Sequence, residues 1–380
     1  MKKILIKNGK VVFPDKIEKS DLVVSEAKIE KIGRAKKYDQ VIDASGLYVL
    51  PGLIDLHYHG LFMFPAPEKI PEFLRRTQKM LILRGVAGFL ATFPATPIPK
   101  LIECLSALKE LCADKSVRTT NARAPEAKLL GVHLEGPFLS KEAKGAQPED
   151  AILDYDPDSA EMQKLFDAGE GLIRIMTFAP ERKGARELLQ VLKEKKIIPA
   201  LGHSVASFEL AEEFCELGAN YLTHLFSGMR GIHHREPSLV LAGLIDDRFY
   251  REAIVDGYHL HPAMVRLIRG CAPRGKMILI TDFVGDEDPL DQEPPRLASG
   301  NLAGSRLRLI RAVRNLVKFT GAGIWEAVAS ASLWPALALG LNLAGEIKEQ
   351  AESTLVLADE NLRLRKVVQH GTLVDAEDDA

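Results

Sequence analysis

The sequence predicts an α/β protein: a (β/α)8 barrel (TIM barrel) with a small β-sandwich domain formed by both termini. Three observations predict it. Eight short apolar strands alternate with helical stretches in the middle of the chain, and the two ends share a strand-and-turn texture that the middle lacks. At the C-terminal ends of six of the eight strands stands a residue able to bind a metal or move a proton. A parallel barrel gathers its strand ends at one rim, so residues far apart in sequence converge there.

Residues 1–50 contain ILIKNGKVV, DLVVSEAKIEKIG and QVIDASGLYV, where valine and isoleucine alternate with lysine and Asn8-Gly9 is a turn signal. The strand candidates of the body are residues 53–57, 88–93, 129–135, 172–178, 197–203, 220–226, 252–259 and 277–282. Helical stretches intervene, among them EKIPEFLRRTQKMLILRG, IPKLIECLSALKELC, ARELLQVLKEKK and FELAEEFCELG. Their leucines recur at three and four residues, the period of a helix that buries one face. A doubly wound open sheet is the structural alternative, but no GxGxxG follows any strand. Residues 345–380, with STLVLADENLRLRKVVQHGTLV, return to strands broken by polar turns. They pair with 1–50 as one discontinuous domain around a catalytic barrel of 51–344.

A length of 380 residues with 46% hydrophobic content suits one barrel plus an appendage. The formal net charge of -2 offers no global attraction to nucleic acid or to an anionic membrane, so an anionic ligand must be held locally. Cys104, Cys112, Cys215 and Cys271 form no CxxC pair and read as reduced thiols. The opening apolar run is broken by Lys7, which makes a poor secretory signal. The apolar stretch from Gly323 to Ala344 is interrupted by Glu326, Pro335 and Asn342, and reads as a buried helix pair rather than a membrane span. A cytoplasmic location is expected.

In LIDLHYHG, Asp55, His57 and His59 share parity, so an extended strand points all three the same way and two imidazoles can reach one ion. Glu135, where HLE meets Gly136-Pro137, offers a hard anionic ligand. His133 has the same parity and reads equally as its supporting partner or as a core histidine. His203 in LGHS and His224 in THLF end consecutive strands, and with Glu135 they form a three-ligand set with an open position for water. His233, His234 and His370 lack strand-end placement and are set aside. Asp282 closes the apolar strand MILITD. An acid there is either a general base for an attacking water, alone or also as a ligand to a second ion, or a helix N-cap.

The strings PGLIDLHYHG, GVHLEGPFL, KGAQP, LGHS, THLF, REP, DGYH, ITD and NLAGS followed by AVRNLV resemble the N-acetylglucosamine-6-phosphate deacetylase family of the amidohydrolase superfamily over nearly the whole chain. The resemblance implies the barrel with its two-ended β domain, and deacetylation of N-acetyl-D-glucosamine 6-phosphate to D-glucosamine 6-phosphate and acetate. It implies Glu135, His203 and His224 as principal metal ligands, His57 and His59 as holders of a second ion, and Asp282 as the catalytic aspartate. The ions would be zinc or Fe(II), one or two per subunit. Arg235 in HHREP would bind the phosphate and His259 the substrate, while Gln147, Ser227, Gly228 and the Leu302-Ala303-Gly304 turn would face the sugar. A homodimer is also implied.

The chain departs from the family pattern at several points. Ser227-Gly228 stands where many relatives have Asn-Ala, Gln147 where some have histidine, and bulky Phe283 where a small residue follows the aspartate, close to the expected reacting centre. Residues 284–300 are acidic, proline-rich and shorter than the family's strand-bearing insertion. The competing functions are deacetylation of N-acetylgalactosamine 6-phosphate, hydrolysis of a cyclic amide, and a catalytically silent scaffold. Cyclic-amide members commonly use a carbamylated lysine where this chain has Glu135.

Overall fold

A computed structural model describes residues 3–26, 28–113, 125–285 and 293–377. Strand-forming sequence from both ends meets in one mixed eight-stranded sheet. It contains β1 (Ile4–Val12), β2 (Ile17–Val24), β3 (Ile29–Ile32), β4 (Gln40–Asp43) and β5 (Tyr48–Pro51) from the first end. From the other end come β15 (Leu355–Ala358), β16 (Leu364–Gln369) and β17 (Thr372–Asp375). β15 runs antiparallel to β5, and this pairing joins the two ends.

Asn8-Gly9 is not a hairpin turn. β1 runs through it with a register shift between Ile6 and Gly9 against β2, a bulge at which Asn8 takes a φ of 65°. The bulge divides the pairing of β1, whose first half bonds to β4 and whose second half bonds to β5. Hydrogen bonding therefore joins the small domain into a single bent sheet. Its inner face is filled by residues such as Ile4, Ile6, Leu22, Val49, Leu357 and Val368.

Only Gly52 separates β5 from the first barrel strand. The barrel strands are β6 (Leu53–Gly60), β7 (Val86–Phe93), β8 (Lys128–Glu135), β9 (Ile173–Phe178), β10 (Ile198–Leu201), β11 (Tyr221–Leu222), β12 (Tyr250–Ala253), β13 (Met277–Leu279) and β14 (Phe283–Val284). All neighbouring pairs are parallel. The single eighth strand expected over 277–282 is broken in two. β13 pairs with β12, the chain turns through Ile280–Asp282, and β14 pairs with β6, which closes the ring.

The four expected helices form outside this ring at Ile70–Leu83, Ile98–Ala113, Ala185–Glu194 and Phe208–Glu216. Each buries an apolar stripe, for example Leu188, Leu189 and Leu192, against the strands. Gly323–Ala344 holds two short helices, Ile324–Ser330 and Leu333–Ala338, as the interrupted apolar run implied. No helix among the described residues is long and apolar enough to cross a membrane.

Candidate active site

β6 places Asp55, His57 and His59 in the barrel interior, each 2% exposed or less. Asp55 lies deepest. Its carboxylate accepts from the Thr281 hydroxyl at 2.6 Å, from Thr281 N–H at 3.3 Å and from His57 N–H at 3.2 Å, which ties β6 to the eighth strand. Burial pushes its carboxyl up to about 7 despite those donors. His59 Nδ1 faces Thr92 O at 3.0 Å and His57 Nδ1 faces Glu252 Oε2 at 3.1 Å. These acceptors favour the tautomer with the proton on Nδ1, so that in the neutral rings the two Nε2 atoms, 3.4 Å apart, are the lone-pair donors.

Glu135 ends β8 at the centre of the cluster. Its Oε1 lies 2.9 Å from His203 Nε2, 2.7 Å from His224 Nε2 and 3.7 Å from His57 Nε2. Its Oε2 lies 3.1 Å from His59 Nε2 and accepts from the Gln147 amide at 2.5 Å. Asp282 Oδ1 is 3.2 Å from His59 Nε2 and 3.7 Å from His57 Nε2. His203, His224 and Asp282 stand just past their strands rather than on them, at φ values of 47°, 29° and 50°. Non-glycine residues held in that region cost about 1–3 kcal/mol each and concentrate at functional sites.

The donor spacing fits a divalent ion. Ligand atoms about 2.0–2.1 Å from a tetrahedral centre lie about 3.3 Å from one another, and the contacts above span 2.7 to 3.7 Å. His57, His59 and Asp282 form one set, and His57, Glu135 and His224 another, with donor atoms within 4.8 Å of each other; His203 joins through Glu135 Oε1. His224 Nδ1 is buried without a hydrogen-bond partner. Imidazole and carboxylate donors without thiolate suit zinc or ferrous iron. His133 does not join them. Its nitrogens face Leu56 O at 3.1 Å and Thr177 Oγ1 at 2.8 Å, and burial reinforced by the charge of His57 holds it down to about 3. It is a neutral core histidine under the site.

Burial opposes every charge here, and the opposite charges overcome it. Burial alone would raise Glu135, but the charge of His57 and the bonds from His203 and His224 hold it well below the usual range. Asp282 is likewise lowered, burial being outweighed by the bond to His59. Burial would lower His59, yet the bonds to Asp282 and Glu135 lift it to about 9. A histidine raised in the folded state contributes stability that is complete below its unfolded value of about 6.5 and lost as pH rises through the folded value. Metal-free protein is therefore expected to lose thermal stability between about pH 6.5 and pH 9. Melting curves across that range check this, and a flat profile would refute it.

A cavity of about 560 Å³ opens above the cluster. His59, Glu135, Gln147, His203, His224 and Asp282 line its floor; Ser227, Gly228, Arg230, His259, Leu302 and Gly304 line its walls. Ala303, within the same turn, does not line it. His259 is not at a strand end, because β12 stops at Ala253. A loop brings it in, held by Asp256, whose Oδ2 meets His259 Nδ1 at 2.6 Å and whose Oδ1 accepts from His259 N–H at 2.8 Å. Burial would lower this imidazole, but the Asp256 bond raises it.

The structure does not bring Arg235 into this cavity. It is exposed on the loop after β11, with Nη1 3.0 Å from His234 Nε2, whereas Arg230 lines the wall. Phe283 does not crowd the reacting centre either. As the first residue of β14 it does not line the cavity, being 1% exposed and stacked on Tyr58 with centroids 5.6 Å apart. Residues 286–292 of the acidic segment lie outside the described residues.

Sequence reasoning missed Glu252. It is fully buried on β12 and holds both His57 and the His224 backbone. A usable signal existed, a lone carboxylate opening the apolar run EAIV, the same reasoning that singled out Asp282. It went unread because the strand was expected to begin at Glu252, whereas β12 begins at Tyr250.

The amidohydrolase family model matches residues 48–374. The chain belongs to the amidohydrolase family. This amidohydrolase is 33% identical over 337 residues to an N-acetylgalactosamine-6-phosphate deacetylase of Escherichia coli O157:H7, covering 85% of this chain and 86% of that one. It is 32% identical to the N-acetylglucosamine-6-phosphate deacetylase of Lysinibacillus sphaericus, over 97% of both chains. Among solved structures, the N-acetylglucosamine-6-phosphate deacetylase of Thermotoga maritima superposes with a TM-score of 0.82 at 31% identity, covering 98% of this amidohydrolase and 100% of the other chain.

Proposed function

We propose that this amidohydrolase removes the acetyl group of N-acetyl-D-glucosamine 6-phosphate, releasing acetate and D-glucosamine 6-phosphate. The observation that carries this reading is Asp282, a charged carboxylate 3.2 Å from a metal-ligating imidazole on the floor of a sugar-sized cavity. Bound among Glu135, His203, His224, His57 and His59, one or two zinc or ferrous ions would polarise the amide carbonyl and make water nucleophilic near neutral pH. Asp282 accepts the proton of the attacking water and passes it to the departing sugar amine. Its lowered pKa keeps it a base at neutral pH. Gln147 restrains the Glu135 carboxylate, and His259, held at Nδ1 by Asp256, donates to the substrate from the wall.

A second reading, N-acetylgalactosamine 6-phosphate as substrate, is favoured by the galactosamine-type relative; the two sugars differ at one hydroxyl, and the cavity wall carries Ser227 and Gly228 where an asparagine side chain is lost. The phosphate falls to Arg230, and to Arg235 of a second copy, since Arg235 does not line its own cavity. Phe64, Ile232, Tyr258 and Leu297 are exposed on loops of the same face, which suits a homodimer there. A cytoplasmic location belongs to the same reading.

Acetate release from paired N-acetylhexosamine 6-phosphates and their unphosphorylated forms, with and without zinc or ferrous iron, tests the reading. Turnover of a phosphorylated N-acetylhexosamine, abolished by chelation and restored by metal, is expected. Activity indifferent to phosphate would remove the roles given to Arg230 and Arg235. Mixing inactive Arg235→Ala and Asp282→Asn proteins is expected to restore part of the activity, because a mixed dimer contains one intact site. No recovery after subunit exchange would place Arg235 outside the neighbouring site.

A further inference from the structure

Glu252 lies beneath the cavity floor and is not among its lining side chains. A buried carboxylate requires compensation, and this one has three bonds. Oε2 accepts from His57 Nδ1–H and from His224 N–H, both at 3.1 Å, and Oε1 accepts from the buried Tyr221 hydroxyl at 2.9 Å. One oxygen thus reaches a side chain from β6 and the backbone of the turn after β11. Those two residues meet in the ligand set that also holds Glu135, and His57 belongs to the set of His59 and Asp282 as well.

We propose that Glu252 is a positioning residue that locks His57 with its proton on Nδ1, and so holds His57 Nε2 as a lone-pair donor to the ion shared with His59 and Asp282. The inference rests on the metal reading of the proposed function. A neutral imidazole carries one N–H, and without an acceptor at Nδ1 that proton is free to occupy Nε2, where it blocks a cation. The other imidazoles of the cluster are fixed differently. His59 and His203 donate to the carbonyl oxygens of Thr92 and Ala143, and His224 Nδ1 has no partner. Among these four rings His57 alone has a carboxylate behind it, which makes it the more basic ligand and the one most dependent on its partner. The shared Oε2 also fixes where His224 leaves β11, and so its place relative to His57 in the set that holds Glu135.

Metal content by mass spectrometry and cobalt(II) titration of metal-free protein, followed by visible absorbance, test this on wild type, Glu252→Leu, Glu252→Gln and His57→Gln. Glu252→Leu is expected to lose the same metal equivalent as His57→Gln, or to bind it about 10- to 100-fold more weakly. Glu252→Gln is expected to retain most of the affinity, because its amide oxygen accepts both N–H groups while its amide nitrogen donates to Tyr221. A purely structural role would lower the melting temperature of the metal-free variants and leave metal affinity unchanged. Wild-type affinity in Glu252→Leu, with loss in His57→Gln, overturns the inference alone. A full metal complement in His57→Gln overturns the two-ion reading and the inference with it. Should Glu252→Leu not fold, Glu252→Asp, whose carboxylate stops a methylene short of His57, is read by the same titration with the same two outcomes.

Discussion

Glu135→Ala is expected to abolish metal uptake and to reduce acetate release to background. Among the described residues the carboxylate is the only group in contact with all four candidate imidazole ligands, at 2.7 to 3.7 Å. Without it, Asp282 is the one carboxylate left beside the Nε2 atoms, with Glu252 behind His57 on its Nδ1 side, and a divalent ion there would be under-neutralised in a low-dielectric interior. The metal-free variant should also gain or lose little stability at high pH, because the rings release their protons more easily once the anion is gone. Metal analysis beside acetate release checks the expectation. A variant that keeps its metal and more than a few per cent of its activity would show that Glu135 is not the hub of the site.

Asp282→Asn is expected to separate metal binding from catalysis. Asparagine keeps the shape and can still accept from the protein, so the Glu135-centred ion should remain, while the group that moves the proton is lost. General acid–base catalysis contributes about 10²- to 10⁴-fold, and kcat should fall by that order with KM little changed. In the wild type the lowered pKa of Asp282 means that activity rises on the acid side with a midpoint below the ordinary carboxylate range. That acid limb should be missing from the residual activity of the variant. A metal-replete Asp282→Asn enzyme with normal turnover would remove the proton shuttle from the mechanism.

Much of this site was legible because its chemistry interrupts apolar strands. Charged or titratable residues closing runs such as MILITD and GVHLE stand out against a hydrophobic background, and the crater geometry of a barrel turns that one-dimensional pattern into a cluster. Strand ends were less legible. His203, His224 and Asp282 look like last strand residues, but each has left the sheet into a left-handed turn, a conformation that a side chain's identity does not announce. Asn8-Gly9 failed for the opposite reason: local turn chemistry was real, but pairing with β2, β4 and β5 absorbed it as a bulge. Arg235 carried a phosphate role by resemblance alone, and nothing in its neighbours announces that it lies on an exposed loop outside the lining of the cavity. Phe283 looked obstructive because adjacency in sequence was read as adjacency in space, whereas the chain turns at Asp282 and Phe283 packs on Tyr58 as the first residue of β14.

The broken eighth strand has a bearing on biogenesis. Until residues 277–284 emerge from the ribosome, every candidate imidazole ligand is already present, yet β6 and β12 have no neighbour on one flank. Unpaired edges of that kind invite association with other chains. The same eight residues zip the ring shut and deliver the aspartate, so a nascent or truncated polypeptide lacking them is at once sticky and inert, and competence arrives with closure in a single event.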